Sequence, residues 1–87
     1  MNIEFPGPAV PAEDGGISFR AKVDGETVAC KFSWEALQDV EPANRLEEPM
    51  EQFEANQTLL LGIAEEKIRN GEVTDGVVGI FTADVHP

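Results

Sequence analysis

Ile17-Ser18-Phe19-Arg20-Ala21-Lys22-Val23-Asp24-Gly25-Glu26-Thr27-Val28-Ala29-Cys30-Lys31-Phe32 is the stretch on which the fold turns. Ile17, Phe19, Ala21 and Val23 alternate with Ser18, Arg20, Lys22 and Asp24, and Val28, Cys30 and Phe32 alternate with Ala29 and Lys31. A period of two marks half-buried strands, whose side chains point to opposite faces in turn. Asp24-Gly25 between them suits the positive φ values of a two-residue type I′ turn, and that turn fixes the pairing. Counting outward sets Val23 against Glu26, Ala21 against Val28, Phe19 against Cys30 and Ile17 against Phe32. Every apolar side chain of the hairpin then lands on one face, so turn chemistry and hydrophobic pattern agree.

Upstream, Ile3 and Phe5 alternate with Asn2 and Glu4, which predicts a short edge strand ended by Pro6-Gly7-Pro8. Residues 6–16 show no period and are read as a mobile loop. Downstream, Ser33 is placed to cap a short helix carrying Trp34, Glu35, Leu37 and Val40, which Pro42 ends. A second helix is predicted from Pro49 to Asn70-Gly71, with Lys67 and Arg69 in its last turn; at 1.5 Å per residue it would be roughly 33 Å long. After an Asp75-Gly76 turn, Val77-Val78-Gly79-Ile80-Phe81-Thr82 reads as a last strand, apolar on both sides and therefore central or well covered.

The chain has 87 residues, 41% hydrophobic and 26% charged, without a break in composition. One α+β domain over residues 1–87 follows: a two-layer β-β-β-α-α-β arrangement with a mainly antiparallel sheet and two helices on one face. A lone cysteine, Cys30, excludes an internal disulfide and a thiolate metal cage, and suits a reducing compartment. With neither a basic, apolar leader at Met1–Pro6 nor an apolar run beyond Leu59-Leu60-Leu61, the expected location is the cytoplasm and no membrane is implied. The net charge of -11 argues against nucleic acid as a partner, because phosphate binding needs lysines and arginines that displace counterions.

The order of short motifs carries a resemblance. Ile3-x-Phe5-Pro6, Val28-x-Cys30, Ser33-x-Glu35-Ala36-Leu37, Phe53-x-x-Asn56, Ala64-x-x-Lys67-Ile68, Asp75-Gly76 and Ala83-Asp84 span nearly the whole chain. Together they resemble a bacterial family of single-domain proteins of unknown function, domain-of-unknown-function family fourteen eighty-eight. The resemblance implies a two-layer α+β domain with helices on one face of a mainly antiparallel sheet, and no activity. Gln57 stands where the resemblance leads one to expect an arginine after the helix asparagine, so a role tied to that charge does not carry over.

No catalytic group is assigned. Cys30 falls on the core face opposite Phe19, where a thiol lacks the cationic neighbour and exposure that a nucleophile needs. Asp84-Val85-His86 would put a carboxylate and an imidazole on one side of an extended segment, but two ligands are not a metal site. The glutamates at 47, 48, 51, 54, 65 and 66 read as solvated helix flanks, and Gly15-Gly16 precedes a strand, so it is no phosphate loop. Neither a cofactor nor a metal is expected.

Three surfaces remain as candidates. Arg20, Lys22 and Lys31 all point to the outer face of the hairpin, giving a basic sheet face unless Glu4, Asp24 and Glu26 neutralise it across the strands. Leu59 and Ile63 lie outside the helix stripe of Met50, Phe53, Gln57, Leu60, Leu61, Ala64 and Ile68; either Trp34 and Leu37 cover them or they form a contact patch. Trp34, Asn56, Gln57 and Asp84 could line a pocket between the 6–16 loop and the helices. The function expected is a non-enzymatic accessory or regulatory interaction domain whose partner is another protein or a second copy. The alternatives are a small-molecule binder or enzyme using that pocket, and an acidic mimic of nucleic acid.

Overall fold

The computed structural model describes residues 1–40 and 48–85. Its elements are β1 (Ile3–Glu4), β2 (Ala9–Pro11), β3 (Ile17–Val23), β4 (Glu26–Phe32), α1 (Trp34–Asp39), α2 (Pro49–Ala55), α3 (Gln57–Arg69), β5 (Val77–Ile80) and α4 (Thr82–Val85). Pro42, Glu47 and His86, which the sequence reading used, lie outside the described residues.

The hairpin forms as its pattern dictates. Asp24 (φ 51°) and Gly25 (φ 87°) make the left-handed pair of a type I′ turn, and Val23↔Glu26, Ala21↔Val28, Phe19↔Cys30 and Ile17↔Phe32 face one another. Asp75 (φ 52°) and Gly76 (φ 75°) repeat the device before β5, closed by Thr74 and Val77, which exchange backbone hydrogen bonds of 2.9 and 3.0 Å.

The sheet is α+β in character and mixed in direction, ordered β1-β3-β4-β5 with β2 also on β3, and β5 runs parallel to β4. Two expectations are corrected, the 6–16 loop and the single long helix. The 6–16 segment contains a strand: Ala9, Val10 and Pro11 pair with Phe19, Ser18 and Ile17. Three residues are too few to show a period, and the strand exists because β3 offers it a template; as an edge strand it tolerates Pro11. β5 stands at the edge of the sheet, so of the two readings of its apolar run, central or well covered, the second holds. Its inward residues Val78 and Ile80 are buried, while on the other side the Phe81 ring lies over Gly79, where a Cβ would come within 2.7 Å of it. A neighbour in sequence thus supplies the second cover that the apolar run had suggested.

The long helix is broken. Asn56 takes φ -121° and ψ 20°; its Nδ2 donates to the Gln52 carbonyl (3.1 Å) and its own N–H turns to Phe53 (3.1 Å). The side chain has occupied the carbonyl that its backbone N–H would use, so the ladder ends at α2 and restarts as α3, where Leu60 N–H meets the Asn56 carbonyl. Downstream, α3 closes in a Schellman motif: Gly71 (φ 76°) donates to Ile68 and Glu72 to Lys67, each at 3.0 Å. At the start of α1, Ser33 Oγ accepts from the Ala36 N–H (3.1 Å).

All the helical cover lies on one face. α2 rests over β2 and β3, α3 over β5, and α1 packs against α2 and α4. Between the layers Phe19, Phe53 and Phe32 form a run of tilted rings with centroids 5.5 and 5.1 Å apart, flanked by fully buried Cys30, Leu37, Leu60, Ala64, Val78 and Ile80.

Candidate functional site

On the other face of the sheet, strand alternation sets out Ser18, Arg20 and Lys22 from β3 and Thr27, Ala29 and Lys31 from β4, exposed or half-buried, with no described helix over them. Arg20, Lys22 and Lys31 are all exposed. Arg20 Nε donates to the Gly7 carbonyl (3.0 Å), which holds that guanidinium near the mouth of β2. A shallow cleft of about 270 Å³ opens there between Pro8, Val10, Ser18, Arg20, Thr27 and Ala29. Glu4 stands opposite Lys22 in the β1–β3 register, yet among the described residues the ion pairs are Lys67–Asp84 and Arg69–Glu65; Lys22 and Lys31 make none. Asp24 is engaged elsewhere, its Oδ1 accepting from the Asn2 N–H (2.8 Å). The basic face is therefore not neutralised by cross-strand pairs.

Leu59 is 55% exposed, and Ile63 is half-buried against the core near Ala83 and Asp84. One exposed leucine among polar neighbours is ordinary surface. The four candidate pocket residues are not brought together. Trp34 lines a cleft with Asp14 and Phe81, Asn56 and Gln57 border a hollow beside Leu59, and Asp84 lies in a third depression with Lys67. Asn56 is occupied in breaking the helix.

Asp84 closes a cluster that sequence reading missed. The segment carrying it is a helical turn, not an extended strand: Asp84 Oδ2 accepts from the Phe81 N–H (2.8 Å) and from Lys67 Nζ (2.8 Å), and the same ammonium reaches the Gly79 carbonyl and lies 5.6 Å from the Phe81 ring centroid. Partial burial alone would raise the Asp84 pKa. The Lys67 hydrogen bond, the Phe81 N–H and the Lys67 charge outweigh it and hold the carboxyl below its ordinary value. The outward carbonyls of β5 are thereby taken, Val77 by Thr74 and Gly79 by Lys67, which closes this sheet edge to a further strand. Lys67 sits 12 residues from Gly79 and 17 from Asp84, so no local pattern announces the cluster.

Cys30 is buried, and burial pushes its thiol up to about 11. Among the described residues no group of three or more histidine, cysteine, aspartate or glutamate side chains is placed to hold a metal ion, and no helix is long and apolar enough to cross a membrane.

Fold and surface together define a small α+β domain whose mixed sheet carries its described helices on one face. The chain belongs to the family described as Protein of unknown function (DUF1488), which matches residues 3–78. The crystal structure of a DUF1488-family protein of unknown function from Shewanella loihica PV-4 is similar to it, with a TM-score of 0.75 at 20% identity, covering 92% of this chain and 94% of that one. That likeness is one of fold. None of the curated proteins compared with the chain matches it.

Proposed function

We propose that the chain is a non-enzymatic interaction domain of the cytoplasm that docks the uncovered face of its sheet onto a carboxylate-rich segment of a partner protein. One observation carries this reading: of the six basic residues in the sequence, three stand on that face, Arg20 at the border of a shallow apolar cleft, and none of the three makes an ion pair among the described residues. The overall charge of -11 does not forbid it. Charges more than about 8 Å away are largely screened at physiological ionic strength, and the molecule extends 36 × 25 × 21 Å. Three cations neutralise too few phosphates to hold a nucleic-acid backbone, and the same face of a second copy would present the same cations. Acidic side chains flanking small apolar ones match both the cations and the floor formed by Pro8, Val10 and Ala29.

The test is an amide chemical-shift titration with an acetylated Glu-Val-Glu-Val-Glu peptide. Shifts are expected at Ser18, Arg20, Lys22, Thr27, Ala29 and Lys31, weakening with salt and lost in the triple variant Arg20→Glu/Lys22→Glu/Lys31→Glu. These positions are exposed, so the circular dichroism of the variant should match the native chain. Shifts centred on the helices, or none at millimolar peptide, would overturn the reading.

A further inference from the structure

At the carboxyl ends of the parallel strands β4 and β5 the chain leaves the sheet twice, into α1 and into α4, and the β2–β3 connection comes up beside them. The three connections border one crevice. It is a cleft of about 500 Å³ bordered by Asp14, Ser33, Trp34, Glu35, Phe81 and Thr82. Its chemistry is uneven. Two aromatic rings stand in it, one of them Phe81, 59% exposed and laid against Gly79, where the lack of a side chain lets the ring rest on the strand. Both acidic members, Asp14 and Glu35, are exposed and make no ion pair among the described residues, and no cation lines the cleft. Asp14 Oδ1 accepts from the Gly16 N–H (3.1 Å), which steadies that carboxylate. Lys67 approaches Phe81 at 5.6 Å, but Asp84 neutralises it at 2.8 Å.

Aromatic faces attract cations through the ring quadrupole, and carboxylates at the rim supply the long-range attraction. The geometry points to a binding site for an organic cation, an alkylammonium or alkylguanidinium group, set between Trp34 and Phe81 with Asp14 and Glu35 as counter-charges. The site uses none of the cations of the basic sheet face, although Asp14 also borders the depression that holds Lys31.

Trp34 is the single tryptophan of the chain, so its fluorescence reports on the cleft directly. We would titrate agmatine, with sodium chloride at matched ionic strength and 1-pentanol as a neutral control. A saturable change with agmatine alone is expected, weakened about fivefold by Asp14→Asn/Glu35→Gln and about two- to fivefold by Phe81→Leu, which keeps apolar bulk and removes the ring. All three positions are exposed, and circular dichroism verifies the fold of each variant. A second arm uses the tripeptide Gly-Arg-Gly: tighter binding than agmatine identifies a protein side chain as the cation's source, weaker binding a free small molecule. A response shared with sodium chloride, or one that survives both variants, would overturn the assignment.

Discussion

Replacing Lys67 by methionine keeps most of the stem that packs beside Phe81 and removes the ammonium that ties β5 to α4. The native ammonium donates to Asp84 Oδ2 at 2.8 Å and to the Gly79 carbonyl, and the two charged side chains are 14% and 26% exposed. A hydrogen bond to a charged group is worth about 1.5–3 kcal/mol when shielded from water, and an exposed ion pair about 0–1. Partial exposure places the loss between these limits, at about 1–2 kcal/mol, or about 4–15 °C in melting temperature for a domain of this size. The assay is a double-mutant cycle in urea with Lys67→Met, Asp84→Asn and both together. A coupling of about 1 kcal/mol is expected, since each single change leaves its partner with a lost hydrogen bond. The pH arm has a definite sign. Asp84 is held below its ordinary value of 3.8 when folded, so its contribution is present above that value and disappears as the pH falls through the lower folded one. The native chain must therefore lose more stability between pH 6 and acid than Asp84→Asn does. A coupling under about 0.3 kcal/mol, or parallel pH profiles for the two proteins, would refute the claim that this cluster fastens the sheet edge.

Two glycines separate steric from conformational strain. A Cβ on Gly16 would stand 2.0 Å from the Phe32 carbonyl oxygen, whereas one on Gly25 meets nothing within 4 Å but must hold φ 87°. Gly16→Ala should cost about 3 kcal/mol or more by urea unfolding and Gly25→Ala about 1 kcal/mol; equal values would mean that the close approach at Gly16 is not rigid. For Cys30, a thiol with pKa about 11 in a sealed core, 5,5′-dithiobis(2-nitrobenzoic acid) should react only as fast as the protein opens, and reaction at the rate of a free thiol would contradict its burial. Leu59→Glu should change stability by no more than about 0.5 kcal/mol, while Ile63→Glu, which removes a side chain packed on the core, should cost about 2 kcal/mol. Matching thermal melts for the two would show that the helix flank is evenly exposed.

What could be read from the sequence depended on how far apart the cooperating residues lie. The β3–β4 hairpin was legible to the residue, because its turn and its alternation are local, the turn fixing the register and the alternation agreeing with it. The Ser33 cap and the Gly71 stop were legible for the same reason. The break at Asn56 was not: its cause is a side-chain hydrogen bond to the carbonyl four residues earlier, which an asparagine can make or forgo, and the apolar stripe of the helix runs on through it. β2 was missed because a three-residue strand exists by pairing, not by pattern. β5 was left as either central or well covered because an apolar run cannot say whether its second cover is another strand or, as here, the ring two residues further on.

The candidate surfaces divide along the same line. Arg20, Lys22 and Lys31 point outward by parity in a hairpin whose other parity is core, so the basic face follows from the sequence as directly as the fold does. That no described helix covers it follows from size: a chain of 87 residues spends its described helices on one layer, and the opposite face of the hairpin is left to polar and small residues. The cleft at the strand ends is of another kind. Asp14, Trp34 and Glu35, and Phe81 come from three connections far apart in the chain, and they meet only because β5 enters the sheet beside β4 and parallel to it. Strand order was the one topological fact that alternation and turn chemistry could not supply. A site built at the point where that order brings separate connections together is therefore invisible to any local reading, while a site built on one hairpin is not.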